Sequence, residues 1–74
     1  MAVEWRGSWG FNELVDTTTG VTHAVVASKM NGWDARVYSK GDFAPDVSMT
    51  FKTNERQEAL LWAQTTYQML SAEG

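Results

Sequence analysis

The fold is decided by residues 21–39, which read VTHAVVASKMNGWDARVYS. Two strand-like runs, 21–30 and 33–39, flank the dipeptide Asn31-Gly32. Asn and Gly tolerate a positive φ better than other residues do, and a two-residue type I′ turn requires a positive φ at both central positions. The sequence therefore predicts a β-hairpin that turns at Asn31-Gly32.

A two-residue turn also fixes which residues pair across the hairpin. With Asn31-Gly32 as the turn, Met30 faces Trp33 on an apolar inner face, and Lys29 faces Asp34 on the outer face. Opposite charges directly across two strands stabilise the pairing. A slip of one residue would turn charged side chains into the core, so we expect this register.

Two further segments alternate with the period of a strand. From residue 3 to 15, apolar residues keep one parity until Leu14 breaks it, which we interpret as one strand with a bulge near Glu13 or a strand end there. Apolar and polar residues also alternate over residues 47–52. The sequence thus predicts a sheet of three to four antiparallel strands, at about 3–15, 21–30, 33–39 and 47–52.

The C-terminal segment has helical periodicity from about residue 55 to 71. Asn54 precedes it as a candidate N-cap, and Leu61 is the one large apolar residue on its polar side. We therefore predict a single α+β domain over residues 1–74, with the antiparallel sheet packed against one C-terminal α-helix. The apolar stripe that would cover the sheet comprises Ala59, Leu60, Trp62, Ala63, Tyr67, Met69 and Leu70.

The composition is typical of a small globular chain without disulfides. The 74 residues include no Cys and one His, but four Trp, three Phe and two Tyr, so aromatic side chains supply much of the core. No apolar run approaches the roughly 20 residues of a membrane span, and the N-terminus lacks the basic and apolar regions of a signal peptide. We expect a cytoplasmic protein with no membrane partner and no cofactor.

Residue types that carry catalysis are scarce. His23 is the only histidine, and the predicted register places it on the outer face near Lys40. A histidine at such a position is usually an exposed strand residue and not a catalytic base. No Cys nucleophile, nucleophile-elbow Ser or glycine-rich phosphate loop occurs in the sequence. Asp42 and Asp46 offer too few oxygen ligands for a hard metal ion. We predict that the protein is not an enzyme and holds no metal.

Aromatic and apolar residues left outside the predicted core indicate protein binding, because such side chains often dominate the binding energy of interfaces. The candidates are Trp9 in the first strand, Tyr38 on the outer face, Phe43 in the loop at 40–46, and Leu61 on the helix. Our leading hypothesis is a non-enzymatic protein-interaction module. A homodimer is also consistent with a sheet covered on one face. The sequence leaves open the partner, and whether the outer face or the loop binds it.

Nucleic-acid binding is the alternative hypothesis. Lys29, Arg36 and Lys40 surround Tyr38 on the predicted outer face, and an aromatic among basic residues is how some sheets hold single strands. The net charge of −3 disfavours this alternative, because phosphate contacts demand a basic surface.

One segment has the layout of a known kind of domain. It reads Gly32-Trp33-Asp34-Ala35-Arg36-Val37-Tyr38, then Phe51-Lys52-Thr53, then Glu58-Ala59 and Trp62. In the order of its elements it resembles the sheet-based DNA-binding domains at the N-terminus of some phage integrases. The resemblance covers less than half of the chain and implies a βββα topology alone. Those domains read DNA with a basic sheet, and the charge of this sheet does not match.

The whole chain is also similar, in size, acidity and Trp content, to small phage proteins that bind host enzymes. This likeness rests on no motif. It implies a phage- or mobile-element-type protein that binds and modulates a host protein.

Overall fold

The computed structural model describes residues 2–38 and 45–73 of the chain. An antiparallel sheet is followed by one C-terminal helix, which confirms the predicted α+β class. Within these described residues the sheet has five strands, where three to four were expected. The elements are β1 (Val3–Ser8), β2 (Phe11–Asp16), β3 (Thr22–Lys29), β4 (Gly32–Val37), β5 (Val47–Phe51) and α1 (Arg56–Glu73).

The fifth strand arises because the predicted strand 3–15 is in fact a hairpin. β1 and β2 reverse direction at Trp9-Gly10, and Trp5 pairs with Leu14. The chain reversal, and not a bulge at Glu13, is the reason that Leu14 departs from the parity of the preceding residues. Trp5 and Leu14 therefore lie on the same inner face of the sheet.

The β3–β4 hairpin turns one residue earlier than predicted, at Met30-Asn31, and Lys29 pairs with Gly32. The predicted pairs Lys29–Asp34 and Met30–Trp33 are wrong by a shift of two residues. Since side chains alternate with period two, this shift leaves the paired residues 24–29 and 32–37 on their predicted faces. Met30 loses its place on the inner face, because it now lies in the turn.

The reason for the earlier turn is the packing of Gly32 inside the sheet. Gly32 has a φ of +153°, and a Cβ at this position would collide with the carbonyl oxygen of Phe51 in β5. Glycine is therefore required at position 32 because β4 lies very close to β5 there. It is not required because residue 32 forms part of the turn. No non-glycine residue among those described has a positive φ, so Asn31 does not form a type I′ turn.

The helix lies across the inner faces of β3, β4 and β5. Ala59 and Ala63 are fully buried against the sheet, and their small side chains let the helix backbone approach it closely. Two contacts fix the direction of α1: Trp5 Nε1 donates to Gln64 Oε1 over 3.2 Å, and the Phe51 and Trp62 rings lie 5.9 Å apart. The core comprises Leu14, Ala24, Val26, Trp33, Ala35, Val37, Ala59, Ala63 and Tyr67.

The start of α1 differs from the sequence prediction by one residue. Ala59 N donates to the carbonyl oxygen of Glu55 over 2.9 Å, so Glu55 and not Asn54 occupies the capping position. The Glu55 carboxylate in turn accepts a hydrogen bond from Lys52 N over 2.8 Å. These two hydrogen bonds of Glu55 join the end of β5 to the start of α1 and fix the direction in which the helix leaves the sheet.

Candidate functional site

Trp9 lies at the tip of the β1–β2 hairpin, and its side chain is 67% exposed. Its ring nevertheless has a fixed neighbour, because it stands edge-on to the buried Trp33 with 5.0 Å between the ring centroids and 71° between the planes. T-shaped aromatic pairs of this kind are favourable beyond the area that they bury. The Trp9 side chain is therefore accessible to a partner, while its ring packs against the buried Trp33.

Arg56, the first residue of α1, ties Trp9 to the helix. Its guanidinium lies 5.7 Å from the ring centroid of Trp9 and 5.8 Å from that of Trp33, within cation–π range. Arg56 Nε donates to the carbonyl oxygen of Trp9 over 3.2 Å, and the buried Asn12 donates to the same oxygen over 3.1 Å. A further bond of 3.2 Å joins Arg56 to Asn12 Oδ1. The tip of the hairpin is thus fixed by contacts with Arg56, Asn12 and Trp33.

Two more large apolar side chains are exposed at this end of the sheet. The β1–β2 and β3–β4 turns lie side by side, since Ser28 N donates to the carbonyl oxygen of Gly10 over 2.8 Å. Met30, in the second turn, is 96% exposed, and Phe11, at the start of β2, is about half exposed. We call Trp9, Met30 and Arg56 the Trp9 surface.

The outer face of the sheet carries a shallow depression of about 290 Å³. Tyr38 lines it together with Phe11, as do Asp34 and Arg36. Asp34 and Arg36 form an ion pair of 3.0 Å, and hydrogen bonding to Tyr38, aided by the charge of Asp34, raises the pKa of Arg36 above its ordinary value. This face therefore combines two aromatic side chains with one neutralised charge pair.

The cations proposed for nucleic-acid binding are not concentrated into a basic surface among the described residues. Arg36 is paired with Asp34, and Arg6, on the same face, lies 2.8 Å from Glu4. Lys29 is exposed at the end of β3. Lys40 lies outside the described residues, so its prediction is not tested.

The predicted protein-binding residues do not converge on one surface. Leu61 is exposed on the side of α1 opposite to Ala59 and Ala63, facing away from the sheet. Tyr38 lies on the outer face of the sheet, and Trp9 lies at the tip of the first hairpin. Phe43 lies outside the described residues. Each of the three described residues thus belongs to a different part of the molecule.

The expected position of His23 on the outer face is wrong. In the β2–β3 pairing, Leu14 pairs with Ala24 but Val15 pairs with Thr22, so His23 is an extra residue of β3 without a partner in β2. The resulting bulge turns His23 towards the helix. There its ring stacks on Tyr67, with 4.7 Å between the centroids and 26° between the planes. The His23 side chain is consequently only 12% exposed.

The surroundings of His23 resemble a structural cluster more than a catalytic one. His23 Nδ1 lies 3.3 Å from the carbonyl oxygen of Tyr38, and Nε2 lies 4.0 Å from Asp16 Oδ2, too far for a hydrogen bond. Asp16 instead accepts hydrogen bonds from the amides of Thr18 and Thr19, which lower the pKa of its carboxyl group, with a smaller contribution from His23. These contacts hold the turn after β2.

The residues that complete the Trp9 surface were not found from the sequence. The residues around Arg56 do not indicate its role, because the carbonyl that it binds belongs to Trp9, 47 positions away in the sequence. Asn12 is buried beside the turn at Trp9-Gly10, and that turn was not predicted. Met30 was assigned to the inner face and is instead exposed in a turn.

Within residues 2–38 and 45–73, no three His, Asp or Glu side chains come together in a way that would hold a metal ion. No helix of the described chain is long and apolar enough to cross a membrane. No family model, curated protein or solved structure matches the chain. Its function is therefore inferred from its own geometry.

Proposed function

We propose that this chain is a non-enzymatic protein-interaction module that contacts its partner through the Trp9 surface. One observation carries the proposal: Trp9 is two-thirds exposed and yet fixed by Trp33, Arg56 and Asn12. Trp and Arg are the residue types most enriched among energetic hot spots of protein interfaces. The Trp9 surface offers one of each in direct contact.

Preorganisation is the physical reason that this arrangement favours binding. Ordering a mobile side chain on association costs about 0.5–1.5 kcal/mol. The Trp9 main chain is held by Arg56 and Asn12 and its ring by Trp33, so much of that cost is already met in the free protein. We expect the partner to offer an apolar pocket for the indole, with Met30 packing at its rim.

The small size and acidity of the chain favour a role as a modulator of a larger protein, of the kind that phages and mobile elements direct at host proteins. The lack of Cys agrees with a cytoplasmic site of action. The contacts of His23, the only histidine, stabilise the fold and approach no nucleophile among the described residues, which supports a non-enzymatic role.

Nucleic-acid binding is kept as a second candidate because Phe11 and Tyr38 line the same depression on the outer face. Two aromatic rings on a sheet are a platform on which bases stack in single-strand binders. The pairing of Arg36 with Asp34 and of Arg6 with Glu4 weakens this candidate, since phosphates would have to compete with carboxylates.

Affinity capture from a lysate of the native host, with and without nuclease, separates the two functions. We expect a protein partner that survives nuclease, is lost with Trp9→Ala and is retained with Met69→Ala. Met69 is a matched control, because it is 62% exposed and lies 13 residues beyond Arg56, about 20 Å along the helix. Capture that depends on nucleic acid and on Arg36, but not on Trp9, would favour the alternative.

A further inference from the structure

Three positively charged side chains of the described residues form no ion pair. Arg6 and Arg36 each lie against a carboxylate, at 2.8 and 3.0 Å. Lys29, Lys52 and Arg56 have no carboxylate at such a distance within residues 2–38 and 45–73. Lys29 and Lys52 are also exposed to solvent. These three are therefore the positive charges of the described chain that stay available to a charged partner.

All three cations lie at the end of the molecule that carries Trp9. Lys29 ends β3 and pairs with Gly32, and Lys52 follows β5 on the other side of the same glycine. Neighbouring strands are about 4.8 Å apart, so the main chains of Lys29 and Lys52 are separated by about 10 Å. Arg56 is hydrogen-bonded to the carbonyl oxygen of Trp9. We call Lys29, Lys52 and Arg56 the basic end.

The basic end carries a positive balance although the chain as a whole has a net charge of −3. Two carboxylates lie in the same region, Glu55 and Glu58 at the start of α1, and that of Glu55 already accepts a hydrogen bond from the Lys52 amide. Asp16 lies at the opposite end of β2, about 17 Å from the first residue of that strand. This distance is about two Debye lengths at physiological salt, so charges so far away are largely screened. A partner that approaches this end of the molecule therefore meets a positive potential.

We propose that the partner of the Trp9 surface is an acidic protein surface, with carboxylates around the apolar pocket that receives the indole. This inference rests on the proposed function and adds the chemistry of the partner. The partner's carboxylates pair with Lys29 and Lys52, and with the Arg56 guanidinium, which lies 5.7 Å from the centroid of the Trp9 ring. Opposite charges across an interface speed association and disfavour partners of the wrong sign. The basic end thus selects and orients the partner, and Trp9 supplies the apolar contact.

The first test is an NMR titration of the full chain with short poly-L-glutamate, and with poly-L-lysine of equal length as the control. We expect poly-L-glutamate to shift the amide signals of Lys29 and Lys52 and the indole signal of Trp9, and poly-L-lysine to leave them in place. The double variant Lys29→Glu, Lys52→Glu should raise the Kd for poly-L-glutamate about tenfold or more. It keeps the hydrogen bond from the residue 52 amide to Glu55, so the fold is preserved.

Arg6→Glu is the matched charge reversal, because Arg6 is already paired with Glu4 and should contribute little to the binding of poly-L-glutamate. Poly-L-glutamate that shifts no signal of the basic end would overturn the proposal. So would a loss of affinity with Arg6→Glu as large as that of the double variant, since the effect would then come from net charge alone. Tighter binding of oligothymidylate of equal charge at the same end would assign that end to nucleic acid and equally overturn it.

Capture of the host partner separates this inference from the proposed function. We expect capture to weaken as the NaCl concentration rises and to fall with Lys29→Glu, Lys52→Glu, because salt screens the charges and the variant reverses them. Capture that is lost with Trp9→Ala but unchanged by the double variant would overturn the acidic partner and leave the proposed function intact. Capture that does not depend on Trp9 would overturn the proposed function, and this inference with it.

Discussion

Trp9 and Arg56 are 47 positions apart in the chain and are joined by a hydrogen bond of 3.2 Å from Arg56 Nε to the carbonyl oxygen of Trp9. The guanidinium also lies 5.7 Å from the centroid of the Trp9 ring. This relationship connects the first hairpin to the start of the helix, and so links the exposed indole to the packing of α1 on the sheet.

Replacement of Arg56 should therefore affect stability and binding together. Arg56→Ala removes two hydrogen bonds and two cation–π contacts, and we expect a loss of about 1–2 kcal/mol in the free energy of unfolding, measured by urea denaturation. Arg6→Ala is the control, because its exposed ion pair with Glu4 should be worth about 0.5 kcal/mol or less. Equal losses in the two variants would contradict this role of Arg56.

Gly32 should be intolerant of any side chain. Gly32→Ala places a Cβ against the carbonyl oxygen of Phe51 at a φ of +153°, so we expect a loss of about 1–3 kcal/mol in unfolding free energy. Gly10→Ala is the matched control, because its φ is ordinary and its Cβ would meet only the Ser28 hydroxyl at 3.4 Å. We expect Gly10→Ala to change stability by about 1 kcal/mol or less. Similar denaturation midpoints for the two variants would refute the close approach of β4 and β5.

Asp16 should make stability depend on acidic pH. The amides of Thr18 and Thr19 lower the pKa of Asp16 below its ordinary value of 3.8, so the folded state binds this proton less readily than the unfolded state does. The resulting stabilisation is present above the ordinary pKa and is lost as pH falls through the lowered one. Asp16→Asn keeps an oxygen for both amides but removes the charge. We expect the stability difference between wild type and Asp16→Asn to be largest at neutral pH and to shrink below about pH 3.8. A difference that does not vary with pH would show that the charge has no such role.

Ala63 should be sensitive to an increase in size. It is fully buried where α1 approaches the sheet, and Ala63→Leu should lower the unfolding free energy by about 1–3 kcal/mol through overpacking. Thr65→Leu, at an exposed position of the same helix, should change it by about 0.5 kcal/mol or less. If the Leu at residue 63 were tolerated as well as the Leu at residue 65, the helix would not be packed as closely as its alanines indicate.

Local patterns predicted the elements, and contacts distant in sequence decided the details. The alternation in 47–52 and the helical stripe after residue 55 depend on near neighbours, and both elements were placed within two residues of their observed ends. The turn at Trp9-Gly10 was missed because Trp9 continues the apolar alternation of β1. The hairpin register was wrong because Gly32 is constrained by Phe51, 19 residues later, and no pattern within the hairpin reports that contact.

The candidate site was predictable only in part for the same reason. Trp9 was identified as a candidate because it is an aromatic residue outside the predicted core, and exposed Trp side chains often dominate the binding energy of interfaces. Its support by Arg56 and Trp33, and the turn of His23 towards Tyr67, arise from tertiary packing and from a bulge. Neither has a signature in neighbouring residues.

The strand order β1-β2-β3-β4-β5 also has a kinetic consequence. Every strand pairs with the one that precedes it in the chain, so the sheet can grow by successive closure of short loops, and chains dominated by such local contacts fold rapidly. We expect hairpin formation on a timescale of about 1–10 μs, with the docking of α1 as the later event. Because that docking brings Arg56 to Trp9, a nascent chain would not present the complete Trp9 surface until α1 had been synthesised and had docked on the sheet.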